Sequence, residues 1–195
     1  MKYTKTPTTT FKKLGLNAGV ILTAFDPADP KVEDGKILGA TSGGNTFAAT
    51  PSFIDFGEDV DNCPKNTMEL MQCDDWDIAL TGTLVTMDET AGQRLLAVAD
   101  IDGTNTHKIV PRRDLKAADF KDIWFVGDYS DKTGATNGGF IAVHLKNALS
   151  VGGFSLVSTD KGKMKFAFNF KAHFSLAAQD EVPFELYIQA GTDEA

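Results

Sequence analysis

The chain has 195 residues, 42% of them hydrophobic, enough for a single domain spanning 1–195 with a sizeable core. Its net charge of −8 argues against a protein that grips nucleic acid through phosphates, which needs a basic surface. No run approaches the ~20 apolar residues of a membrane helix. The polar start, Met1 to Thr10, lacks the apolar stretch of a signal peptide. Manufacture in a cytoplasm without membrane contact is expected. Cys63 and Cys73 are too few for a disulfide framework and read as reduced.

Residues 1–13 are Thr- and Lys-rich and aperiodic, and read as an extended arm that orders on binding. Leu14, Leu16, Val20, Leu22 and Ala24 begin a strand that Asp26-Pro27-Ala28-Asp29-Pro30 stops, because proline cannot donate to a ladder. Ile37 to Thr41 and Thr46 to Phe53 flank Ser42-Gly43-Gly44-Asn45, a hairpin signal. Residues 55–74 then form a loop too long for a plain connection. Phe56, Val60, Leu70 and Met71 on it are candidates for a buried partner surface.

Trp76, Ile78, Leu80, Gly82 and Leu84 alternate with Asp77, Ala79, Thr81, Thr83 and Val85, which predicts a strand with one buried face. A helix follows: Thr86 and Glu89 have capping-box spacing, and Ala91, Leu95, Val98 and Ala99 share a face before Asp102-Gly103 ends it. Further strands are expected at Lys108 to Val110, Asp122 to Tyr129, Phe140 to Leu145 and Phe154 to Ser158, and a short helix at Leu115 to Phe120. Ser130-Asp131-Lys132-Thr133-Gly134 and Asn137-Gly138-Gly139 are turn-rich separators. Met164, Phe166, Phe168, Phe170, Ala172 and Phe174 alternate with Lys163, Lys165, Ala167, Asn169, Lys171 and His173, the longest period-two run in the chain. Phe184 to Ile188 is a last strand, and 189–195 a polar tail. The class is mainly β, a sandwich or partly closed barrel with one flanking α-helix.

No catalytic constellation accompanies these strands, so no enzyme activity and no cofactor are expected. His107, His144 and His173 lie on separate predicted strands without metal-ligand spacing. Asp100-Ile101-Asp102-Gly103 lacks the further oxygen ligands of a calcium loop and reads as a helix-ending turn. The clusters Glu58-Asp59-Val60-Asp61 and Asp74-Asp75-Trp76-Asp77 read as solvated or interface-lining. Neither Gly43-Gly44 nor Gly152-Gly153 opens a phosphate loop, and Ser42 and Ser52 sit in no nucleophile elbow.

The order of segments resembles the major tail tube proteins of long-tailed, siphophage-type bacteriophages of Gram-positive hosts. The likeness runs through Leu16-Asn17-Ala18-Gly19-Val20-Ile21-Leu22, Ile37 to Gly44, the Phe53 to Asn66 loop with Asp55-Phe56-Gly57-Glu58-Asp59, and Thr81-Gly82-Thr83. It continues through Pro111-Arg112-Arg113-Asp114-Leu115-Lys116, Asp122 to Ser130 and Val182-Pro183-Phe184-Glu185. The resemblance implies a virion protein that forms hexameric rings stacked into a hollow tube. Hairpins of neighbouring subunits would close one β-barrel, and genome DNA would pass through without specific binding. It also implies tape measure, tail terminator and distal tail proteins as partners, with the arm, loop and tail locking subunits and rings. Thr46, Thr50 and Ser52, with Asp77, Thr81 and Thr83, are short, uncharged or acidic and suit a lumen wall, since phosphate–lysine contacts would retard DNA. Phe56, Val60, Leu70 and Met71 would be inter-subunit anchors. The competing expectations are a carbohydrate- or surface-binding β-sandwich module and the tube of a contractile injection system. A small hydrolase is disfavoured by the missing constellation.

Overall fold

The computed structural model describes residues 5–131 and 138–192. Eleven antiparallel strands and one helix make up the described fold. They are β1 (Gly15–Leu22), β2 (Ile37–Gly39), β3 (Thr41–Asp55), β4 (Met71–Leu84), α1 (Glu89–Leu96), β5 (Ala99–Ile101), β6 (Ile109–Pro111), β7 (Lys121–Tyr129), β8 (Gly139–Ser150), β9 (Ser155–Val157), β10 (Lys165–Lys171) and β11 (Phe184–Gln189). One sheet runs β2-β1-β7-β8-β11 and the other β3-β4-β10-β9. The fold is thus a mainly β sandwich with one flanking helix; β5 and β6 form a separate small hairpin.

Strand β8 serves both sheets. Its residues 139–148 pair with β7, while Leu149 and Ser150 pair with Lys171 and Phe170 of β10. The strand turns at a bulge. Ile123 faces Leu145 but Lys121 faces Ala148, so β8 holds one extra residue there. Asn147 takes a φ of 49° in that bulge, and its N–H donates to Asp122 Oδ1 at 3.0 Å. An Asn tolerates this left-handed backbone better than most residues.

The inner faces of both sheets share one core. Ile21 and Leu38, Ile123, Val143 and Leu145 meet Ile78, Leu80 and Leu84, with Phe166, Phe168 and Phe170 between, and Ala91 and Leu95 of α1 complete it. The outer face of the first sheet is also covered. Leu22, Trp124, Val126, Phe140 and Ala142 pack with Phe25 and Tyr187 into a second cluster. Burial on both faces explains why Ile21 and Leu22, adjacent in β1, are both fully buried.

Several local expectations are corrected. Ser42-Gly43-Gly44-Asn45 is not a hairpin turn but a bulge inside β3: Thr41 faces Leu84 and Asn45 faces Gly82, leaving two extra residues. Gly43 and Gly44, at φ 83° and 81°, supply the left-handed backbone it needs. Strand β2 pairs with β1 and β3 with β4, so the chain passes from one sheet to the other at Ala40. The 55–74 loop is shorter than expected, because Asp55 ends β3 and Met71 to Asp74 already belong to β4. The cap of α1 is Asp88, whose Oδ1 accepts from the Ala91 N–H at 2.6 Å. Thr86 Oγ1 instead accepts from the Ala40 N–H, tying β4 to the sheet switch.

Helix α1 stops at Leu96, with Ala97 at a φ of 62°, so Val98 and Ala99 lie beyond it. Asp102-Gly103 turns the β5–β6 hairpin, with Asp102 Oδ1 accepting from Thr104 and Asn105. The Leu115 to Phe120 helix is one 3-10 turn, Ala117–Asp119. Part of the arm, Phe11–Lys13, is likewise a 3-10 turn, while residues 1–4 lie outside the described residues. Gln189 still belongs to β11, and 193–195 of the expected tail lie outside the described residues, as does 132–137 in the expected turns. In the long alternating run Met164 and Phe174 are exposed, and only its middle is core.

Candidate assembly surface

Strands β3 and β4 form a hairpin longer than the sandwich it springs from. Near the core, Phe47 pairs with Leu80 and Ala49 with Ile78. Further out, Ser52 pairs with Asp75 and Phe53 with Cys73, so Asp74 is an extra residue and the ribbon is bulged. Beyond that point Phe53, Ile54, Met71, Gln72 and Cys73 are all exposed, on both faces of the ribbon. Phe53, at 60% exposure, continues the core-facing row of Phe47, Ala49 and Pro51 into solvent.

The loop at the hairpin tip is internally tied. Asp55 Oδ1 accepts from the Gly57 N–H and Oδ2 from the Asn66 N–H, each at 2.8 Å. The bonds from Asn66 and then Gly57 hold the Asp55 carboxyl below its ordinary pKa. The Phe56 N–H donates to the Leu70 carbonyl at 3.0 Å, and the Thr67 hydroxyl to the Pro64 carbonyl at 2.6 Å. Cys63 and Cys73 are both free thiols. Asp55→Ala should therefore loosen the loop without unfolding the sandwich. Limited proteolysis should cut between 56 and 70 several-fold faster at an unchanged melting temperature.

The four anchor candidates divide. Phe56, Val60 and Met71 are exposed on the tip. Leu70 is half-buried and turned back over Gly57, where a Cβ would lie 2.9 Å from Leu70 Cδ1. Leu70 therefore holds the loop together rather than facing outward. The exposed apolar set also includes Phe53, Ile54 and Met68, the last at 79% exposure. The adjacent pair Phe53-Ile54, apolar on both faces of a strand, was the sequence signal for the first two.

The six lumen candidates lie on one face. Thr46 is opposite Thr81 and Thr50 opposite Asp77; Ser52 and Thr83 follow at two-residue steps. This is the face turned away from the core. Strand β10 adds Ala167 opposite Thr83, Asn169 opposite Thr81 and Lys171 opposite Ala79. Lys171 Nζ lies 2.6 Å from Asp77 Oδ1, so that lysine's charge is offset within the face. Neither strand's own sequence pairs these two residues; only the β10–β4 register joins them.

A polar cluster sits elsewhere, where β11 meets β8. Lys146 Nζ is 2.6 Å and the Tyr187 hydroxyl 2.5 Å from Glu185, and His144 lies between Glu185 and Asp122. The Trp124 ring stacks on His144 at 4.0 Å. Lys146 first, then Tyr187, lower the Glu185 carboxyl to about 2. A lowered folded pKa contributes stability above the unfolded value of 4.5, lost as pH falls from there toward 2. Glu185→Gln should thus lower the melting temperature at pH 7 and lose part of the wild-type decline between pH 4.5 and pH 2. Thermal unfolding across pH measures both.

A groove of about 600 Å³ lies on the first sheet beside Gly19, Val20, Phe25, Val126 and Phe140. Its carboxylate, Asp128, accepts a hydrogen bond from the Asn17 amide at 2.5 Å. Among the described residues, no group of three or more His, Cys, Asp or Glu is arranged to hold a metal ion, and no helix is long and apolar enough to cross a membrane. No protein-family model matches the chain, and no curated protein matches it.

Proposed function

We propose that the chain is a structural subunit that assembles into hexameric rings stacked as a hollow tube, the tail tube of a long-tailed bacteriophage. The observation that carries this reading is the β3–β4 hairpin, which runs past its own core with apolar side chains exposed on both faces. Such a ribbon is unfavourable alone and stable when neighbours cover it. Among the described residues the sheet it belongs to ends on β3 at one side, and at the other on β9 and the last two residues of β8, which share the flank of β10. Edge-to-edge joining of that sheet between copies would remove both free edges. Four strands from each of six subunits, roughly 24 strands spaced about 4.8 Å and tilted about 40°, close into a backbone ring about 48 Å across.

The outward face of Thr46, Thr50, Ser52, Thr81 and Thr83, with Asp77 paired to Lys171, would line that channel. Short uncharged side chains give DNA phosphates little to hold. In this reading the tube also meets tape measure, tail terminator and distal tail proteins, and the subunit resides in the virion tail. Electron microscopy of the purified protein across a concentration series tests it. Rings or tubes of constant diameter support the reading, and a chain absent from phage particles and monomeric throughout refutes it. Thr81→Lys with Thr83→Lys should leave tubes intact but slow DNA delivery about tenfold or more, read as loss of infectivity. Normal infection by that double variant would remove these residues from the lumen.

A further inference from the structure

The second sheet carries opposite charges at its two ends. At the β3–β4 tip, residues 55–77 hold eight carboxylates against one lysine. Asp59, Asp61, Glu69, Asp74 and Asp75 there form no ion pair among the described residues. At the β9–β10 turn, residues 158–165 hold Lys161, Lys163 and Lys165 against Asp160, and those lysines too are unpaired among the described residues. The register puts the two regions at opposite ends. Asp55 faces Met71 at the start of β4, while Phe166 faces Leu84 at its finish. The fourteen residues of β4 separate them by about 45 Å at about 3.3 Å per residue. Each end also exposes apolar carbon: Phe56, Val60 and Met68 at the tip, Leu156, Val157 and Met164 at the turn.

We infer that the acidic tip of one copy seats on the lysine-bearing turn of the next copy along the strand direction. The two surfaces differ, so the contact is heterologous and repeats without end, as a growing tube requires. It deepens the tube reading and rests on it, by assigning the contact between successive rings. Exposed ion pairs are individually weak, so the apolar side chains carry the affinity. The charges set direction and rate: tip against turn attracts, whereas tip against tip brings two carboxylate clusters together. Growth should therefore be polar and slowed by salt, since the screening length falls from about 10 Å at 0.1 M to about 3 Å at 1 M.

Two charge-reversed proteins test this. One carries Asp59→Lys, Asp61→Lys, Glu69→Lys, Asp74→Lys and Asp75→Lys, which leaves the tip with three carboxylates against six lysines; the other carries Lys161→Glu, Lys163→Glu and Lys165→Glu. All eight side chains are exposed, and circular dichroism with thermal unfolding verifies that both variants fold. Light scattering and microscopy should show each variant alone elongating at least about tenfold more slowly than wild type, and an equimolar mixture recovering, because every tip then has an oppositely charged turn. The chain carrying all eight changes should recover by itself. If each variant alone grows like wild type, or the mixture fails to recover, the inference is overturned while wild-type tubes keep the tube reading. If wild type forms no ring or tube and is absent from phage particles, the tube reading fails. Salt-sensitive head-to-tail association, lost in each variant and restored on mixing, would then still sustain the contact, and its absence would overturn both.

Discussion

Replacing residues 57–70 with a Gly-Asn-Gly turn is expected to yield a folded protein that no longer assembles into tubes. The segment contributes nothing to either buried cluster, so its removal takes no side chain from the core. The strands on either side remain in register through Asp55 and Met71. A shorter closed loop also costs less entropy, so the melting temperature should stay within a few degrees of wild type. What disappears is the exposed set Val60 and Met68 and the tie that positions Phe56. Sedimentation velocity and electron microscopy should then show monomers or unstacked rings in place of the tubes that the proposed function expects of wild type. Tubes of normal diameter from this variant would show that the loop does not lock the subunits.

The second large effect is a contrast between two phenylalanines. Phe170 is 2% exposed, on the central strand β10 between both sheets. Truncation to Ala leaves a cavity that rigid strands cannot close, costing about 3–5 kcal/mol. For a chain of this size that lowers the melting temperature by roughly 10 °C. Phe53 is 60% exposed on the projecting ribbon, so Phe53→Ser should change stability by less than about 0.5 kcal/mol. Its expected effect is on association, with a several-fold rise in the concentration needed for assembly. Chemical denaturation and concentration-dependent scattering separate the two outcomes. A large loss of stability from Phe53→Ser would mean that the ribbon belongs to the core.

Where the signal was a period of two, the sequence carried the answer. Phe166, Phe168 and Phe170, and Ile78, Leu80 and Leu84, are buried as their alternation predicts, because pleating alone sends such residues to one face. The polar row Thr81 and Thr83 was legible for the same reason. Punctuation was less legible. Glycine at positive φ serves a turn and a bulge alike, and Gly43-Gly44 became a bulge only because β3 found one long partner in β4. Asp88 outcompeted the Thr86–Glu89 pair as the helix cap because the Thr86 hydroxyl was engaged by Ala40, 46 residues away in sequence.

By itself, then, the sequence determined the mainly β class, the inner faces of β4 and β10 and the presence of one helix, all of which follow from local periodicity. Tertiary structure alone decided the strand order, the bend that shares β8 between two sheets, the turning of Leu70 inward and the placing of acidic and basic ends about 45 Å apart. Those depend on register between distant segments, and register is set by which apolar faces find each other in the folded core, a condition that no single stretch of chain contains.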